Sequence, residues 1–134
     1  MTSSYGNADR DSEEVAVVRA IYDAFARRDL EGALAHLADD VLFAPQGTAS
    51  RVGRAAPYHG HDGVRQYFAD VARVWEDLRI NADDIRWVAG SVVVFGHVEG
   101  LANGRPFRTR AIWNWKVQDG KAVSMRVSGL GGGA

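Results

Sequence analysis

The residues of this sequence able to move a proton or hold a metal fall into a few groups. His59-Gly60-His61-Asp62 places two imidazoles and a carboxylate within one short run. A catalytic metal needs about three protein ligands at defined geometry, and spacing nominates no third, so no metal is assigned. The plainer reading is a loop leading into a helix, capped by His61 or Asp62. Read for chemistry, His59 is the candidate general base at a pocket mouth, because an imidazole titrates near neutrality; read for structure, it is a solvated loop residue. His97 and Glu99 look like a catalytic pair. Strand parity instead puts them on an outer face with Arg110 and Arg108, as cross-strand ion pairs.

A further group is aromatic or soft. Tyr22, Phe43, Tyr67, Phe68, Trp75, Trp113, Trp115 and Met125 are expected to point inward. They either fill a core or wall a pocket for a flat apolar molecule, in which Tyr22 and Thr109 would be the polar handles, since a buried phenol or indole needs a hydrogen-bond partner. Arg51 and Arg54 could reach the mouth and favour an anionic ligand. Dinucleotide, P-loop and nucleophile-elbow patterns are absent. The terminal GLGGGA has no following helix to present a phosphate site. With no cysteine, thiolate chemistry is excluded.

At 134 residues the chain is expected to be one domain. A net charge of -1 with no basic run argues against nucleic acid as a partner. No apolar run approaches the roughly 20 residues that span a bilayer, and the first residues lack a signal-peptide layout, so no membrane partner is expected and the cytoplasm is the expected compartment.

These side chains must be held by helices and a sheet. Residues 1–10 are expected to be a disordered tail, 11–129 the domain and 130–134 a flexible glycine-rich tail. A helix starts near Asp11, with Val15, Val18, Tyr22 and Phe25 in one stripe. Asp29 caps a short helix that buries Leu30, Leu34 and Leu37. Val41–Ala44 is a short strand, 46–60 a long loop without periodicity, and a helix from about Asp62 carries Val64, Tyr67, Phe68, Val71 and Trp75. Strands follow at 78–88, with a bulge near Asp83-Asp84, at 91–101 and from 106 onward.

Asn103-Gly104 is a two-residue hairpin turn that pairs Gly96 with Ala111, Val94 with Trp113 and Val92 with Trp115. In the last hairpin, a two-residue turn would drive Ser124 and Arg126 beneath the indoles. A three-residue loop, Gln118-Asp119-Gly120, is therefore expected, pairing Trp115 with Val123, Trp113 with Met125 and Ala111 with Val127. Trp113 and Trp115 then face inward while Arg108 and Arg110 face outward. Gly96, Ala111 and Val127 form a layer of little volume, against which a helix packs or a hollow remains. The fold class is α+β: N-terminal helices packed on the concave face of a strongly curved, mostly antiparallel sheet.

The runs VRAIYDAFARRDLEGALAHLADDVLF and YHGHDGVRQYF, with the hairpin ending DGKAVSMR, resemble the NTF2-like superfamily in its SnoaL-like and ketosteroid-isomerase-like branch. The resemblance runs from Val15 to Val127 and implies a cone with a blind pocket. Steroid isomerases of this family use a carboxylate base, a tyrosine and a protonated aspartic acid; those positions fall here on Pro45, Ile21 and Trp113, none of which can do that chemistry. Tyr22 is one residue from the tyrosine position, about 100° around a helix. The Asp-Arg-Asp set of the family's epoxide hydrolases is not recognisable either.

What the resemblance implies is a small apolar or aromatic ligand, steroid- or polyketide-like, and a homodimer through the convex sheet face. Any reaction would be isomerase, cyclase or hydratase chemistry without a cofactor, with His59 or Tyr22 moving a proton. The alternative is a non-catalytic dimeric ligand-binding or protein-interaction domain.

Overall fold

The computed structural model describes residues 2–128, with side chains from residue 13. Helix α1 spans Thr2–Ala26. Its backbone therefore begins well before the start expected at Asp11, as helix propagation costs little once a first turn has formed. The glycine-rich residues 130–134 lie outside the described residues. Val18, Ile21, Tyr22, Ala24 and Phe25 form the buried stripe of α1. Arg28 takes a left-handed φ of 55° just after it, and its guanidinium donates to the Leu78 carbonyl. Asp29 then caps α2 (Leu30–Leu34) by accepting from the Gly32 amide at 2.9 Å.

Leu37 is buried as expected, but as the first residue of β1 (Leu37–Ala44) and not in a helix. The stretch expected to be a plain loop carries α3 (Gln46–Arg51) and the two-residue strand β2 (Tyr58–His59). Helix α4 (Gly60–Val74) starts two residues before the expected Asp62, with His59 at its N-cap and no side-chain cap. Then come β3 (Asp77–Val88), β4 (Ser91–Ala102), β5 (Arg105–Gln118) and β6 (Lys121–Val127).

The strands form one sheet in the order β2-β1-β6-β5-β4-β3, with β1 and β6 parallel and the other pairs antiparallel. Curled around α1 and α4 and left unclosed, it is the expected α+β cone. Trp113 and Trp115 are buried, whereas Arg108 and Arg110 are exposed.

The β4–β5 register is the expected one, with Gly96 on Ala111, Val94 on Trp113 and Val92 on Trp115. The β5–β6 register is not. Asp119 and Gly120, with φ of 53° and 78°, close a two-residue turn, so Val117 pairs with Ala122, Trp115 with Met125 and Trp113 with Val127. Val123 is an extra residue between the Val117 and Lys116 pairings. This bulge restores the parity that a bare two-residue turn would have broken, so that Ala122 and Met125 are both buried.

The layer expected from Gly96, Ala111 and Val127 does not form, because Val127 pairs with Trp113 and not with Ala111. A Cβ on Gly96 would sit 2.0 Å from the Asn81 carbonyl oxygen and 2.8 Å from the Trp113 ring. The register shift of β3 follows directly, between Ala82 and Asp84.

Candidate functional site

Between the end of α1, the inner face of α4 and the start of β3 lies a groove of about 530 Å³. Its apolar wall is Phe25, Tyr67, Phe68, Trp75, Leu78 and Ile80, and its charges are Arg28, Glu76 and Asp77. Tyr67, Trp75, Leu78 and Ile80 also wall an inner recess of about 30 Å³, completed by Thr48, Val98, Phe107, Trp113 and Val127. The groove has the volume of small-molecule pockets; the recess holds only a water or two.

The helical spacing of Val64, Tyr67, Phe68 and Val71 turns this face of α4 toward the sheet. Trp75, at the C-cap, is fixed on several sides. Its indole N–H donates to Thr48 Oγ1 at 3.0 Å, and Arg51 lies 4.4 Å above its ring and 5.6 Å from that of Phe107. Gly100 leaves room for it, since a Cβ there would come within 2.8 Å of the indole. Behind it, Asp70 is 3% exposed. That carboxylate accepts from the Tyr58 hydroxyl at 2.7 Å and from the Gln66 amide at 2.8 Å, with Arg73 at 3.4 Å, and so ties the α3–β2 segment to α4. Burial pushes the Asp70 carboxyl upward, but the hydrogen bonds from Tyr58 and Gln66 and the charges of Arg73 and Arg54 outweigh it and hold the group below its ordinary value.

The phenols of Tyr67 at the site and of Tyr22 in the core beside it are neutral at physiological pH. Burial pushes Tyr67 up to about 12, against the opposing charge of Arg28 and a hydrogen bond with Thr48. Burial likewise drives Tyr22 far above the usual phenol range, although the Trp115 indole donates to its hydroxyl at 3.0 Å. Both phenols are therefore protonated hydrogen-bonding groups at that pH.

Of the residues singled out in the sequence, Tyr67, Phe68, Trp75 and Trp113 meet on the walls of these two spaces. Tyr22, Phe43, Trp115 and Met125 sit in the solid core beside them and line neither space. Phe43 packs edge-on to Tyr67 at 4.8 Å, and Tyr22 lies between Trp113 and Trp115 at 5.7 and 5.8 Å. Thr109 is half-buried and donates to the Arg110 carbonyl at 3.3 Å, away from the recess. His59 is exposed, on the side of β2 opposite buried Tyr58. His97 lies on the outer sheet face between Asp83 at 2.7 Å and Glu99 at 3.0 Å. The arginines expected as ion-pair partners lie across the strand only in register, Arg110 opposite His97 and Arg108 opposite Glu99, while the imidazole pairs with Asp83 and Glu99. His61 faces the Leu37 carbonyl at 2.8 Å. Among the described residues no group of three His, Cys, Asp or Glu is placed to hold a metal.

Sequence reasoning missed Thr48, Tyr58 and Asp70, all buried. The signal for Thr48 was the indole of Trp75, which required a partner once buried.

A family model described as a SnoaL-like domain matches residues 18–125. Among solved structures, an NTF2-like protein of unknown function from Burkholderia pseudomallei K96243 is 32% identical, with 86% of this chain and 88% of that one covered and a TM-score of 0.76. TerC, co-crystallised with polyporic acid, is 28% identical over 86% of this chain and 89% of its own, with a TM-score of 0.76. A Mycobacterium tuberculosis protein in complex with estradiol-17beta-hemisuccinate shares the fold at 17% identity, over 87% and 93% of the two chains, with a TM-score of 0.73. No curated protein matches the sequence.

Proposed function

Because the chain belongs to the SnoaL-like family, whose model spans residues 18–125, we propose that it binds a small apolar or aromatic molecule in the groove between α1, α4 and β3. The observation that carries this reading is the groove itself. Its volume of about 530 Å³ and its wall of Phe25, Tyr67, Phe68, Trp75, Leu78 and Ile80 suit a flat hydrophobic body. Arg28, Glu76 and Asp77 at its rim supply polar orientation. The polyporic acid bound by TerC, at 28% identity, supports an aromatic ligand class.

Binding is preferred to acid–base turnover. Tyr67, on the walls of both spaces, is held neutral by burial; the carboxylates of Glu76 and Asp77 lie at the exposed rim, engaged by the Gly104 amide and by Arg79, and a general base must reach the proton it takes. The catalytic alternative, a cofactor-independent isomerase, cyclase or hydratase, rests on His59 or Tyr22 moving a proton. It requires that any turnover found be lost in His59→Ala or Tyr22→Phe; turnover unchanged in both removes that assignment. The proposal extends to a homodimer through the outer sheet face, where Phe95 is 40% exposed beside half-buried Ile112. Sedimentation of Phe95→Arg is expected to give monomers; an unchanged dimer would place the interface elsewhere.

The test of binding is titration of tryptophan fluorescence with polyporic acid and with a steroid. Saturable quenching is expected, weakened at least about tenfold by Ile80→Trp, which fills the groove. No saturable response, or one indifferent to Ile80→Trp, would overturn the site.

A further inference from the structure

Beyond the groove, a separate cavity of about 270 Å³ lies where β1 ends and the α3–β2 segment folds back over β6. It shares Pro45, Gln46 and Val127 with the inner recess and no residue with the groove. Much of its wall is small, from Ala44, Ala49, Ala55, Ala56 and Pro57, so the polar groups that reach it stand out. They are Arg54, Arg126, Gln46 and Ser50, beside Tyr58, whose hydroxyl is already given to Asp70, and no aspartate or glutamate lines it.

The two arginines come from unrelated parts of the chain. Arg126 sits on β6 between Ala44 of β1 and Asn114 of β5. Arg54 follows α3, its amide bonded to the Ala49 carbonyl at 2.8 Å. Its guanidinium lies 4.3 Å over the Tyr58 ring, a ring fixed in turn by the 2.7 Å bond to Asp70. Among the described residues neither arginine has a carboxylate within 4.0 Å. The Asp70 carboxylate feels the charge of Arg54, yet its oxygens are already taken by Tyr58, Gln66 and Arg73. Two cations bordering one concavity repel each other unless an anion lies between them. The planar guanidinium fork matches a carboxylate or a phosphate and makes charge-assisted hydrogen bonds to either.

We propose that this cavity binds the oxyanion of a small ligand, a carboxylate or a phosphate group, between Arg54 and Arg126, with Gln46 and Ser50 as neutral partners. This site does not depend on the reading of the groove. It is tested by following the thermal midpoint of the full chain against sodium benzoate and, separately, sodium phosphate, at ionic strength held constant with chloride. A saturable rise with at least one anion is expected, benzoate alone marking a carboxylate site and phosphate alone a phosphate site. Arg126→Gln, at an exposed position that leaves the core untouched, is expected to weaken the response at least about tenfold, and Arg54→Gln likewise. Ile80→Trp, which fills the groove, leaves it unchanged. A flat midpoint with both anions, or a rise that persists in Arg126→Gln, would overturn the proposal.

Discussion

Thr48 is the hinge of the polar chemistry at the recess. Its hydroxyl oxygen accepts from the Trp75 indole at 3.0 Å, and the residue is 4% exposed. Thr48→Val keeps the shape and strands the indole N–H, which costs about 1–3 kcal/mol; Thr48→Ser should recover most of it, as measured by the urea midpoint. Asp70 makes a second prediction, one with a pH signature. Its folded carboxyl lies below its ordinary value, so the stability it contributes is present above the unfolded value of about 4 and is lost as pH falls through that range and below. Asp70→Asn is expected to be less stable than the parent at pH 7 by about 1–3 kcal/mol. The two stability curves should converge below about pH 4, and a constant gap on acidification would contradict the ionised network. Neither residue was legible in the sequence. A lone Thr in a stretch without periodicity, and one Asp on a helix with no hydrophobic neighbour rule to bury it, carry no local mark; both are defined by partners 27 and 12 residues away.

At the level of elements, the sequence shows hairpins well and bulges poorly. Asn103-Gly104 announced its turn because both residues tolerate positive φ, and the β4–β5 register followed without error. Asp119-Gly120 announced one too, but the extra residue at Val123 is written in no residue type, and it sets which pairs meet in the last strand. Parity keeps the indoles inside, and the device that satisfies it is a bulge and not a longer loop. The third hairpin closes with Ala89 at φ 50° ahead of Gly90, where a Cβ is strained. Ala89→Asn, which suits that turn position, should raise stability by about 0.5–1 kcal/mol, and an unchanged or lower urea midpoint would count against the strain. Gly96→Ala tests the opposite case. With backbone 2.0 Å from the new Cβ, it should cost more than about 3 kcal/mol or abolish soluble expression.

Across the whole molecule, the cone divides into a solid half and an open half. Tyr22, Phe43 and Trp115 pack against one another in the solid half, and Phe25 and Tyr67 join that cluster to the groove wall, so aromatic content alone does not mark the pocket. What divides core from cavity is where α4 ends and β3 begins, and Trp75 stands at that junction. Its ring borders both the groove and the recess. Trp75→Ala should join the two spaces and free Thr48 as a hydrogen-bonding partner for a ligand. Truncating a buried indole costs about 3–5 kcal/mol, a large share of the 5–15 kcal/mol that holds a domain of this kind together, so the urea midpoint should fall sharply while most molecules stay folded. If groove and recess form one binding channel closed by this ring, the folded variant should take up a longer steroid or aromatic ligand more tightly than the parent does, read by calorimetric titration. Trp75→Phe, which keeps a ring but loses the bond to Thr48, should fall between them. A variant that folds yet binds no better than the parent would mean that the recess is only a packing defect and that the ligand site ends at the groove.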